Sequence, residues 1–208
     1  MYPPSIQKLI ELFSKFPTVG PRTASRFVFY LLNLTNERTE ELLKSISDLK
    51  KQVKLCSSCF NPFDPAQGKY SENEVCGICS NPGRDKSLLC VVEKETDLET
   101  IEKTKKYKGL YFVLGGTVSK LRKEDVEKLR TKELEEKLKK TVEIKEIILA
   151  LNSTAEGEAT GLYLERLIKS LDTARDKKTS RLGRGLPLGS ELEYADDETL
   201  SSALNNRR

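Results

Sequence analysis

Four of the five cysteines fall in two pairs, Cys56-Ser-Ser-Cys59 and Cys76-Gly-Ile-Cys79, with sixteen residues between the pairs. That spacing is the pattern of a four-thiolate zinc site, in which each C-x2-C knuckle clamps one side of a tetrahedral ion. The intervening FNPFDPAQGKYSENEV is rich in Pro, Gly, Asn and polar residues and cannot form a core of its own, so metal binding would supply the folding energy of this stretch. Disulfides are the competing reading; they are disfavoured in a chain that reads as cytosolic. A closed four-ligand site keeps no position open for a substrate and is structural. Cys90, inside the apolar SLLCVVE, reads as a buried strand residue.

Three further groups could carry chemistry. In NSTAEGEAT, residues 152–160, Glu156 and Glu158 stand one residue apart. They could hold a magnesium ion for phosphoryl chemistry, or they could occupy a first helical turn, where carboxylates favour the positive end of the dipole. In FPTVGPRTA, Gly20 allows a tight turn and Pro21 suits a first helical turn, so amide groups point outward beside Arg22 and Arg26. Such a terminus attracts phosphate; a plain helical hairpin with solvated arginines is the alternative. In ELEYADDETL, Asp196 or Asp197 can cap a helix start.

Absences narrow the chemistry. The chain has no histidine, which excludes Ser/His/Asp and Cys/His catalytic units and histidine-containing zinc sites. No G-x-x-x-x-G-K-[ST] occurs, and Gly183, Gly185 and Gly189 fit neither that pattern nor G-x-G-x-x-G, so nothing cradles a triphosphate. The start, MYPPSIQKLIELFSKF, is interrupted by Lys8, Glu11 and Lys15 and lacks the unbroken apolar run of a signal peptide or membrane span. A cytoplasmic location is expected. The net charge of +4 is local: residues 1–55 carry nine Lys/Arg against five Asp/Glu, and the remainder carries 27 of each.

These groups need elements to position them. Ile6, Leu9, Ile10 and Phe13 make one helical face, Ala24, Phe27, Val28 and Leu31 a second, and Leu42, Ile46, Leu49 and Val53 a third, together a small bundle. Downstream, strands at SLLCVVE (87–93), GLYFVLGG (109–116) and IKEIILALN (144–152) alternate with helices at TDLETIEKTK (96–105), EDVEKLRTKELEEKLKK (124–140) and EATGLYLERLIKSL (158–171). Repeated strand-helix units of this length imply an α/β fold with a parallel sheet. Ligands in such sheets gather at the carboxyl ends of the strands, where Glu93 and residues 152–158 fall.

The order of parts, P-x-V-G-P-R-x-A, four cysteines, VVE, YFVLGG, LNSTAEGEAT and RGLPLGSELEYADDETL, resembles the RecR family of bacterial recombination mediators over essentially the whole chain. The resemblance implies a helix-hairpin-helix DNA-binding region (1–54), a zinc-finger module (55–83), a Toprim domain (84–178) and a C-terminal Walker B-like assembly segment (179–208). It assigns Gly20, Arg22 and Arg26 to DNA contact and Cys56, Cys59, Cys76 and Cys79 to zinc. Glu93 and Asp97 match the first Toprim acidic positions, Glu156 and Glu158 the T-x-E-G-E-x-T stretch, and Asp196 and Asp197 the Walker B-like segment. Thr18 stands where the family usually has the first hairpin glycine, Phe112 where it has histidine, and TSRLG (179–183) is more polar than the strand usual there.

A catalytic Toprim centre pairs a glutamate after the first strand with a D-x-D after the third. Here Asn152-Ser153-Thr154 follows the third strand and the D-x-D is missing, so the expectation is a scaffold without catalysis, binding magnesium weakly if at all. The resemblance implies that its acidic surface, Glu93, Asp97, Glu156 and Glu158, is a partner site, for RecO. The family's work is that of a ring-forming clamp, expected to be a homotetramer. It acts with RecO and RecF near the nucleoid to load RecA on gapped or single-stranded DNA coated with single-strand-binding protein, without sequence preference. A primase-like or topoisomerase-like phosphoryl-transfer enzyme and a pure protein-protein adaptor are the other readings.

Overall fold

Proline placement starts the first two helices: Pro4 opens α1 (Pro4–Phe13) and Pro21 opens α2 (Pro21–Leu32), each in a first-turn position where no amide donor is needed. The computed structural model describes residues 2–67, 74–118, 123–172, 177–183 and 185–205. It divides into two units, Met1–Val53 and Lys54–Arg208.

In the first unit α1 and α2 form a hairpin, with Ala24 and Val28 buried. Phe13 meets Phe27 edge-on at 6.1 Å between ring centroids, and Tyr2 meets Phe29 at 5.4 Å. The third helix, α3 (Asn36–Gln52), begins at Thr35, whose hydroxyl accepts the Arg38 N–H. It does not close the expected bundle: among the described residues it makes no packing with α1 or α2 comparable to theirs with each other. Its apolar stripe stays open, with Ile46 54% and Leu49 60% exposed. Eight of its seventeen residues are charged, which leaves a stripe too narrow to order the helix against the hairpin by apolar burial.

The second unit holds the two short strands of the cysteine module, β1 (Lys54–Leu55) and β2 (Pro62–Phe63), paired antiparallel, and a four-stranded sheet of β3 (Asp85–Val92), β4 (Gly109–Val113), β5 (Glu146–Ala150) and β6 (Lys178–Arg181) in the order β4-β3-β5-β6.

 All three pairings of this sheet are parallel: β4 lies on one side of β3, β5 on the other, and β6 on the far side of β5. Residues therefore alternate between two faces. Leu89, Val91, Leu110, Phe112, Ile147 and Leu149 face a core closed by α6 (Thr131–Lys140) and α7 (Ala155–Ser170). Cys90, Val92, Tyr111 and Val113 face the smaller core under α4 (Glu95–Lys103). The last strand is short, as its polar sequence allows, and α8 (Asp197–Asn205) ends the described chain.

Two boundaries differ from expectation. The single helix expected over 124–140 is two, α5 (Lys123–Val126) and α6, because the Arg130 N–H leaves the helical ladder to donate to the Leu114 carbonyl at 3.0 Å while Leu129 turns into the core. A tertiary hydrogen bond overrides the local helical pattern there. Helix α7 begins three residues before the expected Glu158, since the Thr154 hydroxyl caps it by accepting the Gly157 N–H at 3.1 Å. No helix among the described residues is long and apolar enough to cross a membrane.

Candidate functional site

The four paired cysteines converge. Their sulfur atoms all lie within 4.8 Å of one another, Cys59 and Cys76 at 3.5 Å, and Cys56, Cys59 and Cys76 are buried. A zinc ion with Zn–S distances of about 2.3 Å places its tetrahedral sulfurs about 3.8 Å apart, so the cluster has the size to hold a metal ion. The sulfurs are too close to ionise together: hydrogen bonds from Cys59, Cys76 and Cys79 pull Cys56 far below the ordinary thiol range, and bonding to Cys56 drives Cys59 and Cys79 far above it. A central divalent cation would remove that conflict. The Cys76 N–H also donates to the Cys56 sulfur at 3.3 Å.

This module is fastened to the outer strand of the sheet. The Val113 N–H donates to the Cys59 carbonyl at 2.9 Å, and the Lys137 ammonium donates to the Ser58 carbonyl and hydroxyl at 2.8 and 2.7 Å. Phe60, held at φ +64°, meets Phe112 edge-on at 5.4 Å and lies under the Arg130 guanidinium at 5.0 Å. Phe112 thus packs against the knuckle, and the module covers an edge that would otherwise expose unpaired backbone groups. Cys90 stands apart from the cluster; burial pushes its thiol up to about 12, as suits an inert core residue.

At the carboxyl end of the sheet the acidic residues gather as expected, but most are engaged. Glu93 is buried, and Asn152 closes over it: the Asn152 N–H and side-chain Nδ2 donate to the two Glu93 oxygens, each at 2.6 Å. Asp97 accepts the Lys94 N–H at 3.0 Å and so ties down the start of α4. Glu156 and Glu158 both lie in the first turn of α7. Glu158 is paired with Arg181 at 2.6 Å, and the same guanidinium reaches Glu165 at 2.8 Å. Glu156 is exposed, while its carbonyl accepts the Thr160 hydroxyl at 2.6 Å.

The residues around the glutamates have reasons of their own that the carboxylate spacing concealed. A Cβ on Gly157 would meet the Asn152 carbonyl oxygen at 2.0 Å and Glu93 Oε1 at 3.0 Å, so the helix can dock there only with glycine. A Cβ on Gly161 would meet the Arg181 guanidinium at 2.9 Å. Thr160, fully buried, accepts the Val118 N–H at 3.0 Å. Asn152, Gly157, Thr160, Gly161 and Arg181 were missed as site residues; the signal available was the run of small and hydroxyl residues around the two glutamates.

Asp196 is the cap of α8, accepting the Thr199 N–H at 2.9 Å and the Thr199 hydroxyl at 2.7 Å, and Asp197 is the first residue of the helix. Hydrogen bonding from the Thr199 backbone lowers the Asp196 carboxyl below its ordinary value. A cleft of about 480 Å³ brings Asp196 to the same wall as Glu158 and Arg181, with Leu149 and Ser202 also lining it.

In the first unit Arg22 and Arg26 are exposed one turn apart on α2, and no side chain caps the helix start at Gly20. The tight turn is not made at Gly20, whose backbone is extended at φ −84°; Thr18 carries it, at φ +64°. For a β-branched residue that conformation is strained, and the Val19 N–H, donating to the Phe16 carbonyl at 3.1 Å, helps to hold it.

The chain matches three family models: the RecR helix-hairpin-helix over residues 6–50, the Toprim domain over 87–182 and the RecR C-terminal region over 185–208. It is 40% identical over 206 residues to the recombination protein RecR of Clostridium perfringens strain 13, covering 99% of this chain and 97% of the relative. It is 41% identical over 207 residues to that of Bifidobacterium adolescentis, covering 100% and 97%, and 40% identical over 206 residues to that of Lactococcus lactis subsp. cremoris, covering 99% and 98%. With a hairpin, a cysteine cluster and a Toprim sheet in one order, and relatives of this identity along nearly its full length, the chain belongs to the RecR family of recombination proteins.

Proposed function

We propose that this protein is a non-catalytic DNA-binding clamp of recombinational repair, acting with RecO and RecF to load RecA on gapped or single-stranded DNA in the cytoplasm. The observation that carries the non-catalytic part is the closure of Asn152 over Glu93, which gives each carboxylate oxygen a protein donor that a magnesium ion would have to compete with. Phosphoryl transfer wants two or three open carboxylates on one ion. Here Asp97 and Glu158 are also engaged, leaving Glu156 as the open acid of the four.

DNA contact falls to the uncapped start of α2, where backbone amides and the exposed Arg22 and Arg26 meet phosphates without reading bases. Zinc is the metal of the cysteine cluster, held by Cys56, Cys59, Cys76 and Cys79 in a purely structural role. Association of subunits into a ring, with the C-terminal segment taking part, would add weak phosphate contacts into useful avidity. The exposed Leu43, Ile46 and Leu49 of α3 favour such association, since an open apolar stripe gains from a partner. RecO is assigned to the acidic end of the sheet.

A fluorescent gapped duplex titrated with the zinc-loaded protein at several salt concentrations, with magnesium present, tests the reading. Binding that weakens steeply with salt and leaves the DNA intact is expected. Arg22→Ala with Arg26→Ala should flatten the salt slope by about 1 to 2, at roughly 0.9 per phosphate contact. Magnesium-dependent cleavage or synthesis would overturn the non-catalytic reading, and no binding at low salt would move the protein to the adaptor class.

A further inference from the structure

Residues 56–208 carry equal numbers of cationic and anionic side chains, yet the uncommitted ones are unevenly placed. Glu93, Asp97, Glu156 and Glu158 collect at the carboxyl ends of the strands. At the opposite, amino-terminal edge the chain enters each strand beside a lysine: Lys86 in β3, Lys108 before β4, Lys145 before β5 and Lys178 opening β6. The backbone ties these entries together, with the Asp85 N–H donating to the Lys108 carbonyl at 2.9 Å, the Lys145 N–H to Ser87 at 2.8 Å and the Lys178 N–H to Lys145 at 2.9 Å. Lys105 and Lys106 follow α4 on the same side.

The acids of this edge are largely consumed. Asp85 accepts the Ser87 N–H at 2.8 Å and its hydroxyl at 2.6 Å. Glu102 is bound by the Arg84 guanidinium and by the Tyr111 hydroxyl. Burial works against the Glu102 charge, but Arg84 and Tyr111, with a smaller contribution from the nearby Lys108 charge, outweigh it and hold its carboxyl below the ordinary range. Glu146 takes Ser180 at 2.7 Å and Lys178 at 3.1 Å. Glu143 and Asp172 are the exposed acids nearby. Lys177 is spent on the Ile144 carbonyl at 2.6 Å. By contrast Lys86, Lys105, Lys106, Lys108 and Lys145 are all exposed and form no ion pair among the described residues.

We propose that the amino-terminal edge of the sheet, through Lys86, Lys105, Lys106, Lys108 and Lys145, is a second contact surface for a nucleic acid backbone. The surface rests on the reading of the protein as DNA-binding and extends it to a part of the fold without a hairpin. Four strands at about 4.8 Å spacing give an edge of about 14 Å, the axial length of about four base pairs. A hollow of about 210 Å³ lies between Lys105 and Lys108, with Asn81 and the ion-paired Arg84 and Glu102 in its wall, so that its two unpaired charges are the lysines. Lysines act as point charges that position a phosphate backbone without reading its sequence. An acidic protein partner is less well served: interfaces between proteins need apolar or aromatic anchors, and Tyr107, the ring at this edge, is half-buried with its hydroxyl donated to the Leu110 carbonyl at 3.0 Å.

The test compares the full-length, zinc-loaded wild type with a variant carrying Lys86→Gln, Lys105→Gln, Lys108→Gln and Lys145→Gln, and with one carrying arginine at the same four positions. Anisotropy of a fluorescent gapped duplex is followed across salt concentrations, with melting temperature and zinc content as controls on folding. The glutamine variant should lose about 2 to 4 from the salt slope, at roughly 0.9 per phosphate contact, whereas the arginine variant should keep the wild-type slope. The loss should add to that of Arg22→Ala with Arg26→Ala. A wild-type slope in a folded glutamine variant, or an equal loss in the arginine variant, would overturn the proposal. Should the glutamine variant not fold, single Lys105→Gln and Lys108→Gln changes decide, each expected to lower the slope by about 1. Wild-type protein that binds no DNA would instead bring down the parent reading.

Discussion

Two places in this chain have residue types and spacings fit for a metal ion, and the fold treats them in opposite ways. The four cysteines point their sulfurs at one another, within 4.8 Å. Three of the four acids at the carboxyl end of the sheet are turned toward a different donor each: Glu93 toward Asn152, Asp97 toward the Lys94 amide, Glu158 toward Arg181. Ligand type and spacing are therefore necessary for a metal site, and the direction of the lone pairs decides whether one exists. Where protein donors already satisfy the carboxylates, an incoming cation must break those hydrogen bonds before it gains anything.

The difference can be broken first at the cysteines. Cys76→Ser should abolish stable metal binding and unfold the module around it, because structural zinc contributes folding free energy on the order of 10 kcal/mol in small sites. Metal analysis and thermal melting read the effect; full zinc content in this variant would break the four-thiolate assignment.

The acidic end should respond less strongly. Gly157→Ala forces a methyl group into the Asn152 carbonyl and toward Glu93, and a cost of about 3 kcal/mol is expected from overpacking of this kind. Chemical denaturation would measure it, and a variant as stable as wild type would mean that α7 does not dock as closely as its geometry requires.

Asn152→Asp sharpens the comparison by rebuilding an acidic pair. Replacing the Nδ2 donor, which lies 2.6 Å from Glu93, by a carboxylate oxygen should cost about 2 kcal/mol at neutral pH through a lost hydrogen bond and like-charge repulsion. Magnesium should then raise the melting temperature of the variant while leaving wild type unmoved. An equal magnesium response in both proteins would show that Asn152 does not block the site.

Much of this was legible in the sequence, for reasons that differ by element. The C-x2-C pairs announce themselves because ligand spacing in a knuckle is set by local backbone geometry. The parallel strands show as continuous apolar runs because both faces are buried: Leu89 and Val91 serve one core, Cys90 and Val92 the other. The helix break at residues 127–130 was not legible, because Arg130 is called away by Leu114, which lies sixteen residues back along the chain. The left-handed turn at Thr18 was legible only through the family's glycine at that position, since among this chain's own residues local preference favours Gly20. The pairing of Arg181 with Glu158 and Glu165 spans 23 and 16 residues and leaves no periodic trace.

By itself, then, the sequence determined composition, ligand inventory, the alternation of strands and helices, and the absence of a D-x-D after the third sheet strand. Those properties are local, because periodicity and knuckle spacing depend on residues a few positions apart. Only the tertiary structure decided that Asn152 donates to Glu93, that Arg181 pairs with Glu158, and that exposed lysines line the amino-terminal edge of the sheet while acids gather at the other end. Those outcomes depend on which side chains long-range strand pairing brings together, and a hydrogen bond or ion pair forms only between partners that the folded backbone has already placed within reach.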